Sequence, residues 1–453
     1  MHTFEELREK YKVFEYTGYE TEWLSGDEAQ LPSLQVRYHY EIPGLSTFST
    51  RWIFPAERCT DSAILDELLF SLGMAEAISY YKCACPERVT VRCGRLSHAQ
   101  ISWWEKLFYK GLGEFQYRNG IDVSQDELLH IECDAAGGEA GAKDDLPLHD
   151  SASYEGVMVP IGGGKDSVVS LELLKGREVY TYSVNESDTI RNVIACCDHV
   201  KGNLPAKRIL DKKIIELNGE GYLNGHIPFS AVVAFSTVIC AYLNGIRHIA
   251  LSNESSANES TVKDSFVNHQ YSKSYEFEQD FTGYISGLTD SDIHYFSLLR
   301  PYAEISIARM FAEHKAYHKA FRSCNAGSKQ GIWCCNCPKC LFVYIILSPF
   351  LTEDELTGIF GEKLLDKESL DKDFRELMGI DENKPFECVG TRSEVCAAIR
   401  RFVARGGRSL LTDRYAAYIS GLADDLDDLL SDVSTEHNIP RELSYTIKGQ
   451  GQA

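Results

Sequence analysis

The hydrophobic pattern changes character about a third of the way along the chain. In Leu34–Ile42 (LQVRYHYEI) apolar and aromatic side chains fall at every second position, which predicts a strand with one buried face. Thr47–Phe54 (TFSTRWIF) follows the turn residues Pro43 and Gly44 and predicts its hairpin partner. Helical spacing follows over Asp61–Tyr81 and His98–Tyr109. Asp134–Ser151 is rich in Gly, Ala and Asp and reads as a linker. Beyond it come short continuous apolar runs: Val157–Ile161, Val179–Val184, Ile246–Ser252 and His294–Leu299. Between them lie helical patterns at Val168–Lys175, Thr189–Cys197 and Ile227–Leu243. Buried strands alternating with helices predict a parallel sheet covered on both faces. Ligands of such sheets bind at the carboxyl ends of the strands. After Thr352 the chain is mostly helical and charged. In Leu422–Asp432 leucines keep helical spacing with aspartates between, which fits a solvated helix face.

These textures predict an α/β protein in three parts. Residues 1–150 form an α+β unit, residues 151–351 a parallel-sheet core, and residues 352–453 a helical region. The length of 453 residues agrees, at roughly 150 per domain. With 46 basic against 67 acidic residues the formal charge is −21. That argues against sequence-independent nucleic-acid binding and against a polybasic membrane surface. The longest uncharged run, Ile227–Leu243, falls short of the ~20 residues that span a bilayer, so a buried helix is expected. The opening MHTFEELREKYKVFEY is charged and has no apolar targeting core, which leads to the expectation of a cytoplasmic protein without a membrane partner. The oligomeric state is left open.

Gly162–Ser167 (GGGKDS) lies after a buried strand and before a helix. Three glycines (Gly162, Gly163 and Gly164) let backbone N–H groups approach phosphate oxygens, and the helix start adds positive dipole. Lys165 adds a cation, Ser167 a hydroxyl, and Asp166 a carboxylate able to hold magnesium. The alternative is a glycine-rich turn without a ligand. The loop is not a Walker A motif, because Asp follows the Lys. It resembles the PP-loop of ATP pyrophosphatases, Ser-Gly-Gly-x-Asp-Ser, with Gly162 in place of the leading Ser. That resemblance implies ATP and Mg2+ as cofactors, cleavage to AMP and pyrophosphate, and adenylation of a substrate oxygen.

The chain has 15 cysteines, an odd count that does not suggest a disulfide framework. Five fall within one short stretch: Cys324, Cys334, Cys335, Cys337 and Cys340. Cys324, Cys334, Cys337 and Cys340 have spacings that close a tetrahedral zinc site, with Cys335 pointing elsewhere. Four thiolates leave no open position, so such a Zn2+ would be structural. Reduced buried cysteines, or a catalytic Cys335, are the alternatives. The same spacing resembles 7-cyano-7-deazaguanine synthases, which implies activation of a purine-like carboxylate, but it leaves residues 1–150 and the tail unexplained.

Wider segments resemble one family across most of the chain. They are Leu96–Asp122, Val159–Ser167, Leu223–Phe235, Leu251–Ser256, Asn268–Glu278, Cys334–Cys340 and Lys384–Thr391. In order and spread they are similar to the UDP-N-acetylmuramoyl-L-alanyl-L-glutamate epimerases of bacterial peptidoglycan synthesis. The resemblance implies an ATP-dependent inversion of the terminal L-glutamate through an acyl-adenylate. It also implies a UDP-N-acetylmuramoyl-dipeptide partner, and residues 1–150 are the candidate for holding the UDP-sugar end. A non-catalytic nucleotide sensor stapled by zinc is the competing class.

Several residues join this picture with open roles. Asn253 and Glu254 follow a predicted strand and could bind nucleotide or substrate and assist magnesium, or form an ordinary turn. Arg300 could neutralise phosphate or carboxylate, or make a surface ion pair. His226 and His269 are candidate bases because His titrates near neutrality, and each could equally be a structural histidine.

Overall fold

The computed structural model describes the chain except Met1, residues 26–31, Thr60, residues 135–145, residues 256–270, the single positions 325, 328, 329, 383, 386 and 388, and residues 448–453. Most of the expected linker and His269 lie outside the described residues. The strands are β1 (Val13–Leu24), β2 (Ser33–Ile42), β3 (Ser46–Pro55), β4 (Arg88–Val91), β5 (His130–Cys133), β6 (Glu155–Pro160), β7 (Val179–Val184), β8 (Val200–Ile209), β9 (Ile246–Leu251) and β10 (His294–Ser297). Together with numerous helices they make an α/β protein.

The chain forms two compact units, each assembled from separated segments. One contains residues 1–156, 204–249 and 267–295; the other contains 157–203, 250–266 and 296–453. Neither is a contiguous stretch ending at 150 or beginning at 352. The boundaries pass through β6, β8, β9 and β10.

In the first unit the strands follow the order β3-β2-β1-β4-β5. The alternation in β2 does what the sequence predicts: Leu34, Val36, Tyr38, Tyr40 and Ile42 are buried, and their neighbours are partly exposed. The hairpin to β3 sets Val36 opposite Trp52 and Tyr40 opposite Phe48. Gly44 makes the turn at φ 80°, a left-handed conformation that costs glycine little. Strand β1 pairs antiparallel with β2 and parallel with β4. The helix Ala63–Tyr81 starts where Ser62 accepts a hydrogen bond from the Leu65 N–H, and it packs against β1, β2 and the helix Phe229–Asn244. The apolar run Ile227–Leu243 is thus a buried helix, stopped by Gly245 at φ 65°. Among the described residues no helix is long and apolar enough to cross a membrane.

In the second unit Val157–Pro160 of β6 run parallel to Val179–Tyr182 of β7. Val157, Met158 and Val159 of β6 are all buried, as a strand covered on both faces requires. Val168 and Leu171, from the helix Lys165–Leu173, share a core with Ile305, Phe311, Phe342 and Ile399. The carboxy-terminal region is helical at Glu353–Phe360, Asp371–Met378 and Arg392–Ala404. The Leu422–Asp432 pattern yields only the short helix Leu426–Ser431, begun by the Asp425 carboxylate.

Gly73 tests the packing of the first unit. A Cβ at this position would come 2.0 Å from the buried Tyr16 hydroxyl and 2.8 Å from Tyr38 Cδ1. Helix propensity alone favours Gly73→Ala by roughly 1 kcal/mol. Overpacking against two buried tyrosines outweighs that, so the variant is expected to be less stable by about 1–3 kcal/mol in urea unfolding. An unchanged or raised midpoint would contradict this packing.

Candidate functional site

The site grows from the end of β6. Gly163 has φ +85°, and a Cβ there would also come 2.8 Å from Thr189 Cγ2, so both conformation and space call for glycine. Its carbonyl accepts a 2.8 Å hydrogen bond from the Arg322 N–H. Gly164 is the N-cap of the helix Lys165–Leu173 and supplies no side-chain cap, so the first turn keeps N–H groups for an anion. A Cβ on Gly164 would meet Ser323 Oγ at 2.9 Å, which shows how closely the Arg322–Ser323 segment lies over the loop. Ser167 Oγ donates back to the Gly164 carbonyl at 3.1 Å.

The side chain of Lys165 is 1% exposed and pairs with two carboxylates. One is the neighbouring Asp166; the other is Glu304, whose Oε1 lies 2.8 Å from Lys165 Nζ. Burial alone would lower the lysine pKa, but Asp166 and Glu304 overcome it and hold Lys165 charged, above its ordinary value. One cation does not neutralise two acids. Burial, with Asp166 and Glu254 nearby, pushes Glu304 well above the ordinary carboxylate range, against the pull of Lys165 and Lys339. Glu304 Oε2 is buried without a hydrogen-bond partner.

Glu304 opens the helix Glu304–Glu313, and a second buried acid braces that helix. Glu394 accepts from the Ile305 N–H at 3.0 Å, the Thr391 N–H at 2.7 Å and Thr391 Oγ1 at 2.8 Å. Gly390 permits the approach: a Cβ there would come 2.8 Å from Glu394 Oε2 and 3.2 Å from Glu304 Cβ.

The strand β9 brings in the other arm. Ser252 Oγ lies 2.8 Å from Ser170 Oγ, on the loop helix. Asn253 Nδ2 donates to Ser297 Oγ at 3.0 Å. Arg300 is buried; its guanidinium donates to the Glu254 carbonyl at 2.8 Å and to Ser297 Oγ at 3.3 Å. The alternative of a surface ion pair for Arg300 is therefore replaced by a buried role fixing the Asn253–Glu254 turn. Lys165, Asp166, Ser167, Asn253, Glu254 and Arg300 all belong to the second unit. His226 belongs to the first, half-exposed, with Nδ1 3.8 Å from Glu114 Oε2.

Sequence reasoning missed Glu304, Glu394 and Lys339 as members of this charge network. Glu304 gave a faint signal, an isolated acid among apolar residues in YAEISIA. Gly390 and Thr391 lie in the quoted segment Lys384–Thr391, whose packing place the sequence alone did not indicate.

The four expected sulfurs converge. The Sγ atoms of Cys324, Cys334, Cys337 and Cys340 lie within 4.8 Å of one another, and Cys334 and Cys340 are 3.7 Å apart. Tetrahedral zinc with bonds of ~2.3 Å sets sulfurs about 3.8 Å apart, so the donor set fits that ion. Cys337 caps the helix Pro338–Leu347, accepting from the Cys340 N–H, with Pro338 in the first turn. Hydrogen bonds from Cys340 hold Cys337 below the usual thiol range. Cys324 Sγ accepts from the Gly327 N–H at 3.0 Å and the Cys334 N–H at 3.4 Å. Cys335, at φ 51°, turns its thiol away to the Phe360 carbonyl at 3.2 Å. Burial pushes that thiol up to about 12, which disfavours the thiolate a catalytic cysteine needs.

Comparison with known proteins adds a family to this geometry. Residues 6–298 match the MurL N-terminal domain, and residues 317–416 match the MurL C-terminal domain. A protein of Xanthomonas oryzae pv. oryzae (strain MAFF 311018), named UDP-N-acetyl-alpha-D-muramoyl-L-alanyl-L-glutamate epimerase, is 33% identical over 406 residues, which cover 86% of this chain and 87% of the relative. A protein of Salinispora tropica with the same name is 36% identical over 351 residues, covering 74% and 73%. One of Micromonospora sp. with that name is 35% identical over 360 residues, covering 76% and 77%. No solved structure matches the chain. The matched regions take in the amino-terminal residues and much of the tail that the deazaguanine synthase resemblance leaves out.

Two measurements test this site. Zinc analysis of reduced, gel-filtered protein should find a metal lost on changing Cys334 or Cys337 to Ser, with a lowered thermal midpoint, as expected of a closed structural site. Equal metal content in wild type and both variants would exclude these ligands. The second concerns Glu304. Its raised pKa means that the native state binds more protons than the unfolded chain above the ordinary carboxylate value of about 4.3. Its contribution therefore declines as pH rises from that value towards the folded pKa. Glu304→Gln should flatten the fall in denaturant stability between about pH 5 and pH 8. An identical slope in both proteins would place the titration elsewhere.

Proposed function

The chain belongs to the MurL family, and on that premise we propose that it is an ATP-dependent epimerase of UDP-N-acetylmuramoyl-L-alanyl-L-glutamate in peptidoglycan synthesis. The observation that carries the ATP part of this reading is the buried Lys165. It is held between Asp166 and Glu304 at the head of a glycine loop, after a buried parallel strand. Such a loop offers phosphate oxygens backbone N–H groups, a helix start and a fixed cation.

The chemistry of inversion explains why ATP is needed. Taking the α-proton of a free amino-acid carboxylate places a second negative charge beside the first. If the carboxylate oxygen attacks the α-phosphorus of ATP, pyrophosphate leaves and an acyl-adenylate forms without that local charge. A base then takes the α-proton, and a proton returns to the opposite face. Water cleaves the mixed anhydride, giving AMP and the D-glutamyl product. Lys165 and the loop N–H groups orient the polyphosphate and stabilise the charge that develops as pyrophosphate departs.

Asp166 and Glu304 are hard oxygen donors of the type magnesium takes, and the buried, unsatisfied Glu304 Oε2 suits that use. Bound there, the ion would supply compensation for phosphate charge. Arg300 holds the Asn253–Glu254 turn beside the loop, so that those two residues serve nucleotide or substrate. His226 and His269 stand as the proposed bases, and residues 1–150 as the part that holds the UDP-sugar. The use of ATP and a nucleotide-linked substrate suits a cytoplasmic reaction.

In heavy water with ATP and Mg2+, deuterium should enter the glutamate α-position as D-glutamate and AMP appear. A nucleotide sensor would bind ATP without substrate-dependent pyrophosphate release, and ADP with phosphate as products would exclude the loop chemistry. Asp166→Ala should lower turnover by at least about 100-fold, because the loop loses an acid that positions Lys165 and the metal.

A further inference from the structure

A second cluster of metal-ligand type lies at the other end of the loop helix. Glu172 stands in the last turn of Lys165–Leu173, seven residues and about 10 Å along the helix from Lys165. Cys197 and His199 lie in the turn between the helix Asp188–Ala195 and β8. A carboxylate oxygen of Glu172, Cys197 Sγ and a ring nitrogen of His199 lie within 4.8 Å of one another. All three belong to the second unit.

The surroundings orient each donor. His199 Nε2 faces the Leu171 carbonyl at 3.0 Å. A carbonyl only accepts, so Nε2 carries a proton, and the neutral ring keeps its lone pair on Nδ1. Cys197 Sγ lies 3.3 Å from Nδ1 and 3.6 Å from Nε2, so the nitrogen with the free lone pair is the nearer of the two. A backbone carbonyl on the distal nitrogen is the usual way in which a metal-binding histidine is held. Glu172 Oε1 accepts from Tyr317 Oη at 2.5 Å, and its Oε2 lies 3.9 Å from His314 Nδ1. Asp198 Oδ1, which pairs with Lys175 at 3.3 Å, also comes 3.2 Å from His199 Nδ1, a contact to a protonated ring that an ion on Nδ1 would replace.

We propose that Cys197, His199 and Glu172 form a second metal site, which takes a borderline transition-metal ion such as Zn2+. A thiolate, an imidazole and one carboxylate select that class over magnesium or calcium. Bonds of 2.0–2.3 Å at tetrahedral angles set donors about 3.5 Å apart, close to the observed sulfur–nitrogen separation. Binding releases the Cys197 thiol proton to solvent and leaves a fourth position for water or for His314. The ion ties the end of the loop helix to the turn before β8. Its effect is on the stability of the loop's support and not on the reacting atoms.

The test uses the full reduced chain, loaded with excess Zn2+ and then passed through metal-free buffer. Wild type should retain one more zinc per chain than Cys197→Ser or His199→Asn, whatever the occupancy of the tetracysteine cluster. Zinc should raise the thermal midpoint of wild type more than that of either variant. With Co2+, the visible bands of a tetrahedral site with one thiolate should vanish in Cys197→Ser and shift in the milder Glu172→Gln. Equal zinc content in wild type and both variants, with unchanged cobalt spectra, would overturn the proposal.

Discussion

Lys165 is buried with its charge intact, and much of the second unit is arranged around that fact. A lysine ammonium removed from water is strongly destabilising unless acids compensate it. Asp166 supplies one from the next residue and Glu304 the other from a distant helix. The Glu304 helix must then be held in register, and Glu394 does this by accepting the Ile305 N–H. Gly390 leaves the space for both acids. A chain of local requirements thus connects the glycine loop to a segment more than two hundred residues away.

The balance of charge in this neighbourhood is acidic. Asp166, Glu254 and Glu304 outnumber what Lys165 and Lys339 neutralise, and burial together with Asp166 and Glu254 holds the Glu304 pKa above the ordinary carboxylate range. An acidic neighbourhood is a poor host for bare polyphosphate and a suitable one for polyphosphate accompanied by a divalent cation. On the proposed reading, these acids recruit the cation and Lys165 serves the phosphates.

The tetracysteine cluster lies close to the same network. Lys339 sits between Cys337 and Cys340, and its charge also acts on Glu304. Closing four sulfurs on one ion would fix the start of the helix Pro338–Leu347 and, with it, the place of Lys339. Cys335 is excluded from that cluster by its left-handed backbone, which turns the thiol towards Phe360.

Periodicity made β2, β3, β6, β7 and the buried helix Phe229–Asn244 legible, because each buries a regular face or a continuous run. The glycine loop and the cysteine spacing were legible because ligand geometry acts over a few residues. Strand β1 was not, since its outer half holds no buried residue and only Phe14 and Tyr16 are buried in the inner half. The division into two units could not be read either, because it depends on which distant segments pack together. The same holds for Glu304: an acid at a helix start looks like any other until folding sets it against Lys165. Local chemistry is written in the order of residues, whereas compensation of a buried charge comes from whichever segment packing brings near. That is why the sequence by itself determined the loop and the four sulfurs, and only the tertiary structure decided the acids that complete the site.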